Sequence, residues 1–311
     1  MDRRNFIKAF ALAGAAVALK LRGAGDVFAQ TAAVQAEKPA DMAAVLGGEP
    51  DAMFRKAIAE MGGMGRFVKR GDKVVVKPNI GWDKAPELAA NTNPVLVKEI
   101  VSQCFAVGAK EVAVFDNTCD NWKKCYENSG IEAAVKAAGG KMLPADEVSY
   151  YREISLPQGK KVKSMKVHQA ILDCDAWINV PVLKNHGGAS LSISMKNLMG
   201  IIWDRRFFHI SDLQQCIADM CTLEKKPALN VVDAYRVLKT SGPRGKSAED
   251  TALAKALFMS QDIVAVDTAA TKFFGQIREI SIDDVKHLAL GQALKIGTMD
   301  IDKLNVKRIR M

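Results

Sequence analysis

The chain alternates short β-branched runs with segments of helical periodicity, and this alternation constrains the fold more than any other feature of the sequence. Residues 73–78 read KVVVKP, which is typical of a buried strand. Asn93 and Pro94 then provide an N-cap and a first-turn proline for a helix whose apolar residues recur at helical spacing. That helix ends at Gly108, and the next strand occupies residues 111–115. Together these segments predict one β-α-β unit.

The same alternation continues to the end of the chain. Short apolar strands that alternate with helices are typical of the α/β class, so we expect a mostly parallel sheet with helices on both faces, arranged in one or two lobes. Ligands of such sheets bind beyond the carboxyl ends of the strands, so polar residues that directly follow strands are candidate site residues. The further strands are predicted at residues 176–181, 228–234 and 256–260, and the further helices at 131–138, 212–223, 263–274 and 282–294.

The first 29 residues resemble a twin-arginine (Tat) export signal. Arg3 and Arg4 precede an apolar run at residues 9–19, and Ala29 ends a short segment that suits signal peptidase. The apolar run is shorter than the roughly 20 residues that span a bilayer, so we expect cleavage after Ala29 and a mature protein without a membrane span. The signal implies the Tat translocase as a partner during export and a periplasmic or otherwise exported protein. Because this route carries folded proteins, it also favours a cofactor acquired before export.

The remainder of the chain is divided at Pro50. Residues 30–49 are rich in alanine and poor in large apolar side chains, which indicates a linker, and residues 50–311 form the predicted α/β domain. Removal of the signal takes away five basic and two acidic side chains, so the formal net charge falls from +9 to +6. The basic residues are scattered and form no arginine-rich run. This distribution argues against a nucleic-acid partner and suits a small anionic ligand.

The six cysteines leave three interpretations open. No C-x-x-C pair occurs, so their spacing matches no common zinc or ferredoxin pattern. In an oxidising compartment, Cys119 with Cys125 or Cys216 with Cys221 could form disulfides. The alternatives are buried or free thiols, or cysteines that converge in space to hold an iron-sulfur cluster.

Polar residues follow several of the predicted strands. Lys77 and Asn79 come at the end of the first strand, and Lys184 and His186 come just beyond a later one. Asp233 lies near the end of the predicted strand at residues 228–234. The carboxyl ends of parallel strands lie at one edge of a sheet, so these side chains are expected to lie near one another.

Residues 189–196, ASLSISMK, alternate polar and apolar side chains with a period of two. This pattern predicts a strand with one polar face that carries Lys196. Alternatively, Asn197 caps a helix that begins here. Either arrangement brings Lys184, His186 and Lys196 into one region.

Seven motifs carry a family resemblance: VVVKPNIG, INVPVLKNHGG, SMKNLMGIIW, the later His209, LNVVDA, SGPRG and DIVAVD, from about Lys73 to Asp267. In order and spacing they resemble the uncharacterised prokaryotic family catalogued as domain of unknown function 362. That family often has Lys-Thr-His where this chain has Lys184-Asn185-His186, and many relatives carry a ferredoxin-like cysteine module that does not occur here, which weakens a role in electron transfer. The resemblance implies an α/β fold and a shared site, and it supplies no established reaction.

The residue types at these positions suit an anionic ligand. Lysine ammonium groups provide charge for a carboxylate or phosphate, asparagine amides add directional hydrogen bonds, and a Gly-Pro-Arg-Gly segment offers backbone amides. Asp233, and Asp267, which follows the run DIVAV, are candidates to hold a divalent metal or to orient a histidine. The predicted substrate-binding residues are Lys77, Asn79, Lys196, Asn197, Gly242 and Gly245, and the predicted catalytic residues are His186, His209 and Lys184.

These features leave three functions open. The first is an exported enzyme that acts on a small carboxylate or phosphate, with His186 or His209 as the proton-transfer group. The second is a non-catalytic carrier or maturation partner that leaves the cytoplasm loaded with an iron-sulfur cluster or another cofactor. The third is a periplasmic anion-binding protein without turnover.

Overall fold

The structure, a computed structural model, describes residues 38–311, so the predicted export signal and the first part of the predicted linker lie outside the described residues. Within these described residues, ten strands form a central sheet and two more form a separate hairpin. The strands are β1 (Met42–Leu46), β2 (Lys73–Pro78), β3 (Glu111–Val114), β4 (Lys141–Met142), the hairpin strands β5 (Tyr151–Ser155) and β6 (Ser164–His168), β7 (Ala176–Val180), β8 (Val182–His186), β9 (Ser190–Ser192), β10 (Leu229–Leu238), β11 (Thr251–Ser260) and β12 (Val306–Arg310).

The strand order of the sheet is β12-β1-β11-β10-β7-β2-β3-β4, and β8 pairs with β10 and with β9. The neighbours from β10 to β4 are parallel, as are β1 and β12. In contrast, β11 is antiparallel to both of its neighbours. The predicted sheet is therefore confirmed as mixed and mostly parallel.

Ten α-helices accompany the strands in the described part of the chain. Asn93 caps α2 as predicted, because its side chain accepts a hydrogen bond from the backbone N–H of Val95. None of the described helices combines the length and the apolar character that crossing a membrane requires. The helices are α1 (Pro50–Glu60), α2 (Pro94–Ala106), α3 (Trp122–Asn128), α4 (Ile131–Ala137), α5 (Gln169–Asp173), α6 (Ser194–Asn197), α7 (Arg206–Ile210), α8 (Leu213–Met220), α9 (Ile263–Ile277) and α10 (His287–Ala293).

The sheet is covered by helices on both faces, as the sequence predicts. In β2, Val74 and Val76 pack into a core with α1 and α2, whereas Val75 belongs to a second core that contains α8 and α9. A strand between two helical layers must be apolar on both sides, which explains why residues 74–76 are apolar without alternation.

The predicted linker is wrong for its second half. Met42–Leu46 form β1, which pairs antiparallel with β11 and parallel with β12 in the central sheet. Four of these five residues are buried. The small side chains of Ala43 and Ala44 make the run MAAVL resemble a linker by composition, but between two strands small side chains pack well.

The alternating segment at residues 189–196 is a strand only from Ser190 to Ser192, and the prediction fails beyond that point. Ser194 begins α6, and Asn197 is the last residue of that helix rather than its cap. The cause is distant in sequence: the Asp267 carboxylate accepts hydrogen bonds from the backbone N–H groups of Ser194 and Met195, both at 2.8 Å. Asp267 itself lies within α9 and not after a strand.

The predicted helix at residues 282–294 is divided in two. A 3₁₀ turn at Ile282–Asp284 is closed by a capping box from Ser281, and α10 begins only after the non-helical Val285. The described chain from Ala40 to Met311 forms a single unit. A second lobe is therefore not required to accommodate these elements.

We predict that Asp267→Asn destabilises the fold. Asp267 is fully buried, and each of its oxygens accepts one backbone N–H of α6, whereas an asparagine offers a single oxygen. The free energy of unfolding should fall by about 1–3 kcal/mol, the usual penalty for a buried donor without a partner. Urea denaturation measures this difference. Asp302→Asn, at an exposed position, is the matched control, and an equal result for both variants would contradict the prediction.

Candidate functional site

A cavity of about 730 Å³ lies beyond the carboxyl ends of β2, β3 and β8. The structure brings together seven of the predicted site residues along its wall: Lys77, Asn79, Lys184, His186, Lys196, Asn197 and His209. The remaining lining residues include Trp82, Asp116, Cys119, Met199, Gly200, Trp203, Arg205, Arg206 and Pro243.

Lys77 is fully buried at the base of this cavity and is saturated with acceptors. Its Nζ lies 2.9 Å from Oδ1 of Asp116 and donates to the backbone O and to Oδ1 of Asn197, at 2.7 and 2.9 Å. Burial lowers the pKa of Lys77, and the adjacent Asp116 carboxylate opposes that shift. Two oxygen acceptors of Asn197 and the ion-paired carboxylate of Asp116 surround the amine, so Lys77 is a structural cation.

Asn197 connects this ion pair to the neighbouring amides. Its Oδ1 also accepts a hydrogen bond from Nδ2 of Asn79, at 3.1 Å, and its own Nδ2 donates to Oδ1 of Asn179, at 2.8 Å. Asn179 in turn donates to Oδ1 of Asn230 on β10. This chain of amides fixes the end of α6 against three neighbouring strands.

Lys184 on β8 is almost completely buried, and it has two neutral acceptors. Its Nζ donates to Oδ1 of Asn79, at 3.0 Å, and to the backbone O of Ala90. No carboxylate of the described residues pairs with it. Burial, with a further contribution from the charge of Lys196, lowers the pKa of Lys184 to about 7.

Lys196 on α6 is partly buried and lacks an oxygen acceptor among the described residues. Its hydrogen-bond partner is the sulfur of Met199, with Nζ and Sδ 3.5 Å apart. Burial lowers the pKa of Lys196 to about 8, and the charges of Arg205 and Lys77 act in the same direction. The Lys196 ammonium group therefore has donors available to a ligand in the cavity.

His186 is held in one tautomer by the turn that follows β8. Its Nδ1 accepts hydrogen bonds from the backbone N–H groups of Gly188 and Ala189, both at 3.1 Å. The neutral ring then carries its proton on Nε2. Burial, together with the charges of Lys196 and Lys184, lowers the pKa of His186 to about 2. His186 is thus a hydrogen-bond donor at neutral pH.

His209 lies on α7 at the exposed side of the cavity. Partial burial of the ring lowers the pKa of His209, and the positive charges of Lys196 and Arg205 lower it further. Arg205, which precedes α7, donates to the backbone O of Asn117 and of Thr118, both at 2.9 Å. These bonds hold the segment after β3 against the segment that carries His209.

Four predicted site residues do not line the cavity. Pro243 reaches it, but neither Gly242 nor Gly245 does, and the N–H of Gly242 is used by Oδ1 of Asn185, at 3.2 Å. Asp233 accepts backbone N–H groups of Asn93 and Tyr235, at 2.7 and 3.0 Å, so its carboxylate fixes the start of α2. Asp267 fixes α6. Both carboxylates serve the backbone of distant segments.

The described residues contain no group of three or more His, Cys, Asp and Glu side chains placed to hold a metal ion. All six cysteines are free, so neither predicted disulfide forms. Cys119 is exposed at the cavity wall, and the other five are buried. Burial raises the pKa of Cys104 to about 12, which is typical of an unreactive thiol.

Sequence reasoning missed Asp116, although the signal was present. Asp116 directly follows the predicted strand at residues 111–115, so the rule that selected Lys77 and Lys184 also applies to it. Arg205 gave no such signal, because it lies in a loop and reaches the site through backbone acceptors at residues 117–118.

Comparison with known proteins identifies a curated relative and several similar structures. The relative is a thylakoid-associated protein of Synechocystis sp., 24% identical over 227 residues, which cover 71% of this chain and 68% of the relative. The lactate racemase apoprotein of Thermoanaerobacterium thermosaccharolyticum matches 76% of this chain with a TM-score of 0.45 and 13% identity. A Thermotoga maritima protein matches 80% of this chain with a TM-score of 0.39 and 11% identity. The chain spans 57% and 60% of the lengths of these two structures, less than two thirds of either.

The family described as domain of unknown function (DUF362) matches residues 74–272. This range is more than half of the chain, and it contains every residue named above as lining the cavity. The predicted resemblance is confirmed: the chain belongs to the family of domain of unknown function 362.

Proposed function

We propose that this chain is an exported protein whose cavity binds a small carboxylate or phosphate, and that it acts on this anion as an enzyme. The observation that carries the proposal is the Lys196 ammonium group. It faces the cavity without a carboxylate or any other oxygen acceptor among the described residues. An ammonium in such a position lacks partners that an anionic ligand supplies.

The charge of the cavity wall supports the same ligand class. Five lysine and arginine side chains line it, against the carboxylates of Asp116 and Asp204. Asp116 forms an ion pair with Lys77, and Asp204 lies 3.3 Å from the exposed Arg206. The remaining cationic groups, above all Lys196, attract an anion.

Within this proposal, His186 donates a hydrogen bond to the ligand through Nε2 and does not exchange protons. A ring with a pKa near 2 stays neutral at physiological pH. Proton transfer falls instead to Lys184, whose pKa of about 7 suits that role, or to His209 at the exposed side.

The two alternative functions differ from the enzyme in ways that experiment can separate. A cluster carrier needs several converging ligands, and the described residues do not bring such a set together. A periplasmic anion-binding protein needs the same cavity as the enzyme. Incubation with a bound anion, followed by analysis for a converted product, distinguishes binding alone from turnover.

Gly200 supports the cavity floor by having no side chain. A Cβ at this position would lie 1.8 Å from Oδ1 of Asp116 and 2.5 Å from Nζ of Lys77. The backbone of the 3₁₀ turn at Leu198–Ile201 therefore lies directly against the ion pair. Any residue with a side chain here must displace Asp116 or Lys77, and Lys77 is the group that holds Asn197.

We predict that Lys196→Met weakens anion binding. The substitution removes a charge-assisted hydrogen bond worth about 1.5–3 kcal/mol, so the Kd for phosphate or acetate should rise by roughly 10- to 150-fold. Isothermal titration calorimetry at low, fixed salt measures this change. Lys160→Met, at an exposed lysine, is the matched control and should leave the Kd unchanged. Equal Kd values for the wild type and Lys196→Met would contradict the proposed function.

We predict that anion affinity falls as the pH rises through about 8, the pKa of Lys196. The anion binds the protonated amine. The affinity for the anion is therefore highest below this pKa and decreases roughly tenfold per pH unit above it. Acetate is a suitable probe because its charge is constant between about pH 6 and about pH 10. Lys196→Arg keeps its charge throughout this range and should remove the dependence. A dependence that persists in Lys196→Arg would assign the titration to another group.

We predict that Gly200→Ala destabilises the protein and weakens anion binding. Displacement of one partner from a buried ion pair costs about 3–5 kcal/mol. Urea denaturation and calorimetric titration with acetate measure the two effects. Gly65→Ala is the matched control, since a Cβ there meets nothing within 4 Å, and it should change neither quantity. A Gly200→Ala protein with wild-type stability would show that the ion pair tolerates displacement.

A further inference from the structure

The three lysines of the cavity differ in how many oxygen atoms surround the amine. Lys77 has three acceptors, one of which belongs to a carboxylate, and Lys196 has none among the described residues. Lys184 has two, and both are neutral: Oδ1 of Asn79 and the backbone O of Ala90. Of the two lysines with oxygen acceptors, Lys77 has a carboxylate that favours the ammonium, and Lys184 has none.

Two neutral acceptors match a neutral amine. An uncharged –NH₂ group has two N–H donors and one lone pair, so Asn79 and Ala90 use both donors and the lone pair stays free. An ammonium in the same place would have a third N–H for which the described residues offer no oxygen acceptor. Burial and the adjacent positive charge of Lys196 act in the same direction, and they lower the pKa of Lys184 to about 7. A free amine next to a second cation is the arrangement that makes lysine nucleophilic.

The neighbouring groups define what such an amine could attack. Lys196 lines the same cavity and provides a binding point for a carboxylate. His186 lines it as well, with a proton on Nε2 for an uncharged oxygen. A ligand that satisfies all three side chains has a carboxylate beside a carbonyl, which is the chemistry of a 2-oxo acid.

We propose that Lys184 forms an imine with the carbonyl carbon of a small 2-oxo acid whose carboxylate binds Lys196. This inference rests on the proposed anion site and adds a substrate class and a covalent step. The lone pair of Nζ forms the bond to the carbonyl carbon, and the carbonyl π electrons move to oxygen. The two amine protons then leave with that oxygen as water, and a C=N double bond remains, with no oxidation or reduction.

Reductive trapping tests the proposal. The mature protein is incubated with glyoxylate, pyruvate, 2-oxobutyrate or 2-oxoglutarate in the presence of cyanoborohydride, which converts an imine into a stable secondary amine. Intact mass analysis should show one reduced oxo acid per chain for at least one of the four acids. Peptide mapping should place it on Lys184. Calorimetry with propionate, a carboxylate without a carbonyl, measures anion binding separately.

Three variants complete the test. Lys184→Arg and Lys184→Met should both lose the adduct, while Lys160→Arg, at an exposed lysine, should form the adduct to the same extent as the wild type. Lys196→Met should require higher oxo-acid concentrations and still be modified on Lys184. The wild-type mapping keeps the test informative if a Lys184 variant does not fold.

The outcomes separate this inference from the proposed function. Propionate binding without a Lys184 adduct from any of the four acids overturns the imine and leaves the anion site intact. An adduct on Lys196 or on exposed lysines instead of Lys184 also overturns it. Absence of propionate binding, phosphate binding and adduct together would overturn both proposals.

Discussion

The buried ion pair between Lys77 and Asp116 is the interaction on which the arrangement of the cavity depends. It joins the ends of β2 and β3, and through Asn197 it holds the last residue of α6. Burial of two charges is costly unless their remaining hydrogen-bonding atoms find partners. Here Oδ2 of Asp116 accepts the N–H of Ile80, at 2.7 Å, and the Lys77 ammonium has three acceptors. The floor of the cavity is thus rigid, and its charges are balanced.

Because the floor is neutralised, the positive charge available to a ligand lies elsewhere on the wall. Other buried carboxylates around the site also have protein partners. Asp233 accepts the backbone N–H of Asn93, and Asp267 accepts two backbone N–H groups in the first turn of α6. Each of these buried acids binds backbone N–H groups from a distant segment, which would otherwise lack acceptors. Asp233 and Asp267 therefore position the site without lining the cavity, while Lys184 and Lys196 line it.

Much of the fold could be predicted because it follows from local patterns. The strand at residues 73–78 and the helix capped by Asn93 are specified by neighbouring residues, and the structure has both. The boundary at Ser192 could not be predicted, because it depends on Asp267, more than seventy residues away. Likewise, β1 is a strand because of β11 and β12, and an alanine-rich run carries little of that information.

For the site, the rule that polar residues after strands are candidates predicted well where a side chain lies. It predicted poorly what that side chain does. Lys77, Lys184 and His186 all reach the cavity, as the strand-end rule requires. The same rule selected Asp233, but Asp233 lies within β10 and its carboxylate accepts the backbone N–H of Asn93, 140 residues distant in sequence. Asp116 follows β3 and pairs with Lys77, so the two aspartates differ in their place on the strand and in what the fold places opposite them.

The three cavity lysines show most clearly that residues of one type can differ in role. The sequence presents each as a cation, yet the number and charge of the oxygen atoms around Nζ differ from one to the next. A carboxylate beside Lys77 favours the ammonium, whereas neutral carbonyls around Lys184 accept the two hydrogens of a neutral amine equally well. Lys196 then supplies a charge that no carboxylate of the described residues neutralises, and it also disfavours a second charge on Lys184. One cation beside one neutral amine favours a ligand with a single negative group next to an uncharged polar group over a ligand with two adjacent charges.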